Sequence, residues 1–383
     1  MTHAIMTHPP ESIRQTARWP DRRILDLFGI SHPILLGPMA GAGTPRLAIA
    51  VGEAGGLASL PGAMYQPDEL RAAIEAVRAG LPGRPLNVNF FCHTPPVPDP
   101  VRAMRWRTRL APYYVEHGLD PQATPPAGGR APFDATLCAL VEETRPEVVS
   151  FHFGLPDPAL LARVKATGAK VISSASTVDE AKWLEARGCD AIIAMGLEAG
   201  GHRPTFLGTD VAGDMAGDMS RQVGTFALVP QVADAVGVPV IAAGGIADAR
   251  GIVAALALGA SAVQVGTAFL LCPEAKIPAV HRAALEAAGD DSTALTNLFT
   301  GRPARGIMNR VMRDVGPLCA DSPAFPLAGG ALAPLRAAAE AEGRDDFTNL
   351  WAGQAARLAP RLPAADLTRK LAADALSRLA PTA

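Results

Sequence analysis

Cysteine is scarce in this chain of 383 residues, and its five copies are scattered singly. No two of them have the C-x-x-C spacing that is typical of zinc sites and redox motifs. The sequence therefore predicts neither a disulfide framework nor a metal site, and we expect most of the cysteines to be small buried apolar residues. They are Cys92, Cys138, Cys189, Cys272 and Cys319.

The chain also lacks an excess of charge and a long apolar run. Its formal charge is −2 at pH 7, which gives no reason to expect nucleic acid as a partner. No apolar run reaches the roughly 20 residues that span a bilayer, so no membrane contact is predicted. Residues 1–20 are polar and lack the apolar core of a signal peptide, which makes the cytoplasm the expected location.

What the chain does contain is a series of apolar strand candidates that alternate with amphipathic helical segments. Continuous apolar strands in this arrangement are typical of a parallel sheet that is buried on both faces. Eight such units predict an α/β fold of the closed (β/α)8 type, the TIM barrel. A doubly wound open sheet is the alternative, although it usually has fewer strands. The eight candidates begin near Ile34, Leu57, Leu86, Val148, Val171, Ala191, Val238 and Ala262.

The pattern divides the chain into three predicted regions. These are an N-terminal arm (1–20), the barrel (21–272) and a helical extension packed on the barrel (273–383). Within the barrel, 93–130 and 204–221 are rich in proline, glycine and polar residues, so we interpret them as long excursions. Within the extension, 291–299 is predicted to be helical or mixed, and 301–306 to be a basic loop.

Glycines and polar residues collect where the predicted strands end, which is where barrels of this kind bind their ligands. The sixth strand leads into Gly200-Gly201-His202. The loops after strands seven and eight carry Gly244-Gly245 and Gly266-Thr267, and free backbone N–H groups at these loops are typical of a phosphate site. No acidic cluster, G-x-S-x-G motif or P-loop is present, which argues against two-carboxylate hydrolysis, serine hydrolysis and P-loop nucleotide hydrolysis.

Two histidines are candidates for chemistry or substrate contact. His202 stands next to the glycines of a loop, and near neutral pH an imidazole can take a proton from an acidic carbon or, as a cation, stabilise an anion. His152 lies at the end of a predicted strand, where a buried structural role is equally consistent with the sequence. Met39 and Met195 are expected to be apolar packing residues that can also touch the flat face of a ligand.

From about Ile24 to Asp314 the chain resembles the nitronate monooxygenases, formerly called 2-nitropropane dioxygenases, which are FMN-dependent (β/α)8 enzymes. The resemblance depends on motifs that fall in order along the chain, mostly at strand ends. They are 33–41 (PILLGPMAG), 87–89 (NVN), 198–202 (EAGGH), 243–248 (AGGIAD), 264–267 (QVGT) and 305–310 (RGIMNR).

The resemblance implies a role for each residue at a matching position. Residues implied to contact the flavin ring or to admit it are Pro38, Met39, Ala40, Asn89, Gly200 and Gly201; those implied to hold its phosphate are Gly244, Gly245, Gly266 and Thr267, with Gln264 beside them. His202 matches the family's active-site histidine, and we place His152 with it at the substrate. Ser174 stands where some relatives have lysine, and Met195 stands where many have glutamine. Each difference removes one polar contact to flavin or phosphate.

Two further positions depart from the family pattern. Pro204 stands where relatives usually have glycine, and 208–220 looks like an insertion. Such an insertion would reshape a lid and with it the choice of substrate.

The implied reaction is FMN-dependent oxidation of alkyl nitronates, such as propionate 3-nitronate, by molecular oxygen to a carbonyl compound and nitrite. An NAD(P)H-dependent flavin reductase of the enoyl-acyl-carrier-protein reductase II type is the alternative. A catalytically silent flavin-binding module, whose C-terminal helices recruit a partner, is the third hypothesis. The expected partners are a small nitronate and O2, and a homodimer is compatible with the sequence.

Overall fold

Eight parallel strands form the centre of the computed structural model, which describes residues 18–123, 130–207 and 219–380. Two-residue strand β7 (Gly201–His202) belongs to a separate sheet. The eight central strands are β1 (Ile34–Leu36), β2 (Ala58–Pro61), β3 (Leu86–Phe91), β4 (Val148–His152), β5 (Lys170–Ala175), β6 (Ala191–Met195), β8 (Val240–Ala243) and β9 (Ala262–Val265).

The sheet closes between its two end strands. Its order is β1-β9-β8-β6-β5-β4-β3-β2, and the remaining seam joins β1 to the residue before β2. There the N–H of Leu36 donates to the carbonyl of Leu57 across 3.1 Å, and the N–H of Leu57 donates to the carbonyl of Ile34 across 2.9 Å. The predicted (β/α)8 barrel is therefore confirmed, and the open-sheet alternative is wrong.

A ring of helices covers the barrel. The side chains of Thr44, Thr177 and Asp248 cap three of these helices, since each accepts a backbone N–H of the first helical turn. The helices that follow strands in the ring are α2 (Pro45–Glu53), α3 (Pro67–Gly80), α5 (Ala135–Thr144), α6 (Pro158–Ala166), α7 (Val178–Ala186), α8 (Thr225–Ala235) and α9 (Ala249–Ala257).

The eighth helix of the ring comes from the C-terminal end of the chain. After β9 the chain leaves the barrel for nearly a hundred residues and returns as α13 (Ala364–Leu379), which packs against α9 and α2. Leu367 and Leu371 of this helix are buried in the main core. The division at residues 272 and 273 into barrel and extension stays a prediction. The other helices are α1 (Arg23–Phe28), α4 (Pro100–Glu116), α10 (Ala279–Ala287), α11 (Arg310–Val315) and α12 (Gly329–Ala341).

Two local expectations were wrong. The predicted excursion 93–130 contains α4, which begins with Asp99 as its cap and buries Trp106, Leu110 and Tyr114 on one face. The signal was present, because these apolar residues recur at every fourth position.

The second wrong expectation concerns the segments predicted as helical or mixed and as a basic loop. They contain strands β10 (Thr293–Thr296) and β11 (Ala304–Ile307), which form an antiparallel sheet with β7 in the order β10-β11-β7.

Some predictions fall on residues that the structure does not describe. These are 1–17 of the expected arm and 208–218 of the expected insertion. Among the described helices, none combines the length and the apolar character that crossing a bilayer requires.

Candidate active site

A cavity of about 480 Å³ opens at the C-terminal ends of the barrel strands. This volume is in the range of small-molecule and cofactor sites. All the residues predicted for cofactor or substrate line it, namely Pro38, Met39, Ala40, Asn89, His152, Ser174, Met195, Gly200, Gly201, His202, Gly244, Gly245, Gln264, Gly266 and Thr267. The structure thus brings together the predicted set, while the role of each residue stays a prediction.

The antiparallel sheet positions His202 over the barrel. Within β7, Gly201 pairs with Arg305 of β11 and His202 pairs with Ala304. The neighbouring Arg203 has no exposed surface, and its guanidinium donates to the carbonyls of Met195 and Gly196 across 2.8 and 2.6 Å. These bonds tie the end of β6 to β7, so the histidine has a defined place above the cavity.

Aromatic rings and one hydroxyl surround the imidazole of His202. Its Nε2 lies 3.0 Å from Oγ1 of Thr300. Burial lowers the pKa of His202 well below its usual value, and the positive charge of Arg130 is the next largest cause. The imidazole is therefore neutral at neutral pH. The surrounding rings are those of Phe91, Phe153, Phe325 and Trp351, with centroids between 5.3 and 6.1 Å from the imidazole.

His152 is held as one tautomer by its two neighbours. Its Nε2 lies 3.2 Å from the backbone carbonyl of His202, which can only accept, so Nε2 carries the proton. Its Nδ1 then accepts from the hydroxyl of Ser174 across 3.3 Å. Burial lowers the pKa of His152 to about 3, and this ring is also neutral. Ser174 therefore has a partner in the chain that sequence analysis did not foresee.

Gly244-Gly245 after β8 and Gly266-Thr267 after β9 form two turns, which we call the glycine corners. They present backbone N–H donors without partners in the described chain. Within the described chain, the N–H groups of Gly245, Ile246, Gly266 and Thr267 donate to no other residue. Gly245 has a φ of +69°, in the left-handed region that favours glycine. Converging free N–H groups of this kind bind anions, so the corners suit a phosphate.

Gln264 adds a buried acceptor on the same side of the cavity. Its Oε1 is buried and has no hydrogen-bond partner among the described residues. An unpaired buried amide oxygen costs free energy unless a ligand supplies a donor. A flavin fits this requirement, because it carries N–H and O–H donors as well as a phosphate.

Gly200 and Gly201 are glycines for different structural reasons. A Cβ on Gly200 would lie 2.6 Å from the backbone nitrogen of Gly353, so this residue is small to allow close packing of the 352–353 segment. A Cβ on Gly201 would meet nothing within 4 Å, and its φ is +74°. Of the two, Gly201 is the one whose bare backbone faces open space.

Three cationic residues that line the cavity were missed by sequence analysis. Arg130, Arg336 and Lys276 all line it. Burial, together with the charge of Arg336, lowers the pKa of Arg130 to about 10. Neither arginine forms an ion pair with a carboxylate of the described chain; Arg336 donates to the amide oxygen of Asn349 instead. Arg130 lies in a proline- and glycine-rich stretch, where no pattern in the sequence marked it.

No group of three or more histidine, cysteine, aspartate or glutamate side chains in the described ranges could hold a metal ion. The donors that converge on the cavity are amides, imidazoles and guanidiniums, which suit an organic anion.

The comparison with known proteins gives the family. The family model described as nitronate monooxygenase matches residues 21–374. The chain belongs to the nitronate monooxygenase family. A curated nitronate monooxygenase from Pseudomonas aeruginosa is 45% identical over 355 residues, which cover 91% of this chain and 97% of the relative.

Solved structures agree with this assignment. The structure of nitroalkane oxidase from Streptomyces ansochromogenes matches with a TM-score of 0.83 at 39% identity, covering 93% of this chain and 98% of that one. The structure of FabK from Thermotoga maritima is less similar, with a TM-score of 0.68 at 30% identity, covering 93% and 96%. The cavity is thus the candidate active site of an oxidoreductase that oxidises nitronates, in a family of flavin-dependent enzymes.

Proposed function

We propose that this protein uses FMN and molecular oxygen to convert alkyl nitronates into a carbonyl compound and nitrite. The observation that carries the proposal is the cavity itself. It joins two turns whose backbone N–H groups have no partner in the described chain to a neutral histidine, with Arg130, which forms no ion pair with a described carboxylate, close to that histidine. The glycine corners offer hydrogen bonds to a phosphate, and Arg130 and His202 offer a positive charge and a proton acceptor to a nitro compound.

The cofactor would be held by the residues whose polar groups lack partners among the described residues. Gly245, Gly266 and Thr267 would bind the phosphate through backbone N–H groups, and Oε1 of Gln264 would accept from a flavin donor. Met39 and Met195 would contact the flat ring with apolar side chains. When bound, FMN supplies electron transfer from the nitronate and the reaction with oxygen.

His202 would act as a base rather than as a cation. Because burial and Arg130 lower the pKa of its imidazole, the ring is uncharged when a substrate arrives. A neutral imidazole can take the α-proton of a neutral nitroalkane, whereas a nitronate that is already anionic does not need this step. Arg130, which lies close enough to oppose protonation of His202, would stabilise the negative charge that forms on the nitro group.

The pair of arginines favours nitronates that carry a second negative group, and propionate 3-nitronate is such a compound. Arg130 and Arg336 interact electrostatically and line the cavity without carboxylate partners in the described chain. Two adjacent guanidiniums repel each other, and an anion between them would remove this cost. A carboxylate on the substrate would supply that anion.

The test is nitrite release and oxygen uptake by purified protein with ethyl nitronate and with propionate 3-nitronate. We expect nitrite from both, and a cofactor released by denaturation with the mass of FMN. A flavin-loaded protein that releases no nitrite from either compound contradicts the proposal. Anaerobic bleaching of the flavin by NADH or NADPH, without nitronate oxidation, would favour the reductase instead.

A further inference from the structure

The hydroxyl of Thr300 is buried between the imidazole of His202 and the backbone of Arg302. Only 1% of Thr300 is exposed. Its Oγ1 lies 3.0 Å from Nε2 of His202 and 3.3 Å from the carbonyl oxygen of Arg302, while the N–H of Arg302 donates to Oγ1 across 3.4 Å. The hydroxyl has one proton, so it can donate either to the histidine or to the carbonyl.

The carbonyl decides where this proton goes. No other donor in the described chain reaches the carbonyl of Arg302, a residue that is 6% exposed. Leaving a buried carbonyl unpaired is costly, so the hydroxyl donates to Arg302 and its oxygen accepts from Nε2–H of His202. We propose that Thr300 is a positioning residue that holds His202 as the Nε2–H tautomer and leaves Nδ1 as the basic atom in the cavity.

The surroundings of Nδ1 agree with this assignment. Nδ1 of His202 has no hydrogen-bond partner within the described chain. It is also not one of the fully buried unpaired atoms, so part of its surface is accessible. It is therefore the ring nitrogen that a ligand can reach, since Nε2 is occupied by Thr300.

The inference rests on the proposed function for its chemical consequence. Nδ1 takes the α-proton of a neutral nitroalkane: the C–H bond breaks, its electron pair moves onto the nitro group to form the nitronate, and an N–H bond forms. The resulting imidazolium keeps donating from Nε2 to Thr300, and a hydrogen bond to a charged group is stronger than one to a neutral group. Thr300 thus stabilises the protonated histidine against the opposing charges of Arg130 and Arg302.

The first experiment compares nitroethane, which needs deprotonation, with ethyl nitronate, which does not. We expect Thr300→Val to lower kcat/KM on nitroethane roughly tenfold more than on ethyl nitronate, the size expected for one hydrogen bond to a charged group. Thr300→Ser, which keeps the hydroxyl, should restore most of the loss. Thr368→Val removes an equally buried hydroxyl in α13 and should leave the ratio of the two substrates unchanged.

The second experiment observes the tautomer directly, by nitrogen NMR of protein labelled with ¹⁵N-histidine and assigned with His202→Asn. We expect an unprotonated Nδ1 and a protonated Nε2 in the wild-type and Thr300→Ser proteins, and a changed tautomer population in Thr300→Val. Equal losses on both substrates, or a protonated Nδ1 in the wild-type protein, would overturn the inference. Absence of nitrite from ethyl nitronate would instead reject the proposed function, and the NMR result would still decide the tautomer.

Discussion

Nε2 of His152 donates a 3.2 Å hydrogen bond to the backbone carbonyl of His202. The bond joins the end of β4, a barrel strand, to β7, which lies in the antiparallel sheet. Ser174 of β5 completes the arrangement by donating to Nδ1 of His152. The two histidines therefore have different structural roles. His152 holds the backbone of His202 in place, and His202 keeps one ring nitrogen accessible from the cavity.

Replacing His152 tests this division. We expect His152→Phe to lower kcat on ethyl nitronate about tenfold, because the carbonyl of His202 loses its donor and β7 shifts. FMN binding should change little. His152→Gln retains an N–H donor and should lose less activity. Stopped-flow kinetics and flavin content measure both effects, and equal activity of the Phe and Gln variants would contradict the positioning role.

His202→Asn removes the base while leaving a polar side chain of smaller volume. We expect retained flavin, a loss of about a hundredfold or more in kcat/KM on nitroethane, and a much smaller loss on ethyl nitronate. Because the pKa of His202 is lowered, the wild-type base is unprotonated at neutral pH and becomes protonated only as the pH falls below its usual range. Unchanged turnover of nitroethane in the variant would rule out the base role.

The proposed role of Arg130 and Arg336 is tested by two substrates that differ in one carboxylate. We expect Arg336→Met to raise KM for propionate 3-nitronate about tenfold, with little effect on KM for ethyl nitronate. Arg130→Met should affect both substrates, because Arg130 also influences His202. Arg187→Met, a change at a surface arginine stacked on Trp183, is the control for loss of a positive charge. An equal KM change for both substrates in Arg336→Met would contradict a carboxylate site.

Buried neutral histidines also predict acid sensitivity of the fold. Burial lowers the pKa of His281 to about 4, whereas an unfolded histidine titrates near pH 6.5. Between these values the unfolded chain binds more protons, so stability is lost as the pH falls, by up to about 1.4 kcal/mol per pH unit from this group. His281→Gln keeps a donor for the carbonyl of Trp351 and should flatten the slope in urea unfolding measured from pH 7 to pH 4. Identical slopes in the two proteins would count against this account.

The barrel could be predicted because its signals are local. Most of the apolar strands lead directly into small or polar residues, and caps such as Thr44 and Asp248 precede their helices. Since the C-terminal ends of parallel strands meet on one side of a barrel, a list of strand ends collected residues that line the cavity, although it did not include the cationic ones.

The missed features depend on contacts between distant parts of the chain. Strand β7 has two residues and no pattern of its own, and it is a strand only because β11, about a hundred residues later, pairs with it. For the same reason Thr300 could not be linked to His202, nor α13 to the gap between α9 and α2. Arg130 lies at the end of the excursion 93–130 and Arg336 lies in α12, so no local pattern in the sequence could show that they are neighbours.

The phosphate corner allows a test with two nearly isosteric side chains at Gly266. This residue has a φ of −114°, which other residues adopt, and an added Cβ would meet only the side chain of Met39, at 3.7 Å. Gly266→Asp and Gly266→Asn fill the same space, but only aspartate places a negative charge beside the unpaired N–H groups. If FMN phosphate binds there, the Kd for FMN should be at least tenfold weaker in the aspartate variant than in the asparagine variant. The difference should shrink as salt is added, because ions screen the repulsion. Flavin fluorescence titration measures both constants, and equal Kd values at low salt would mean that the phosphate lies elsewhere.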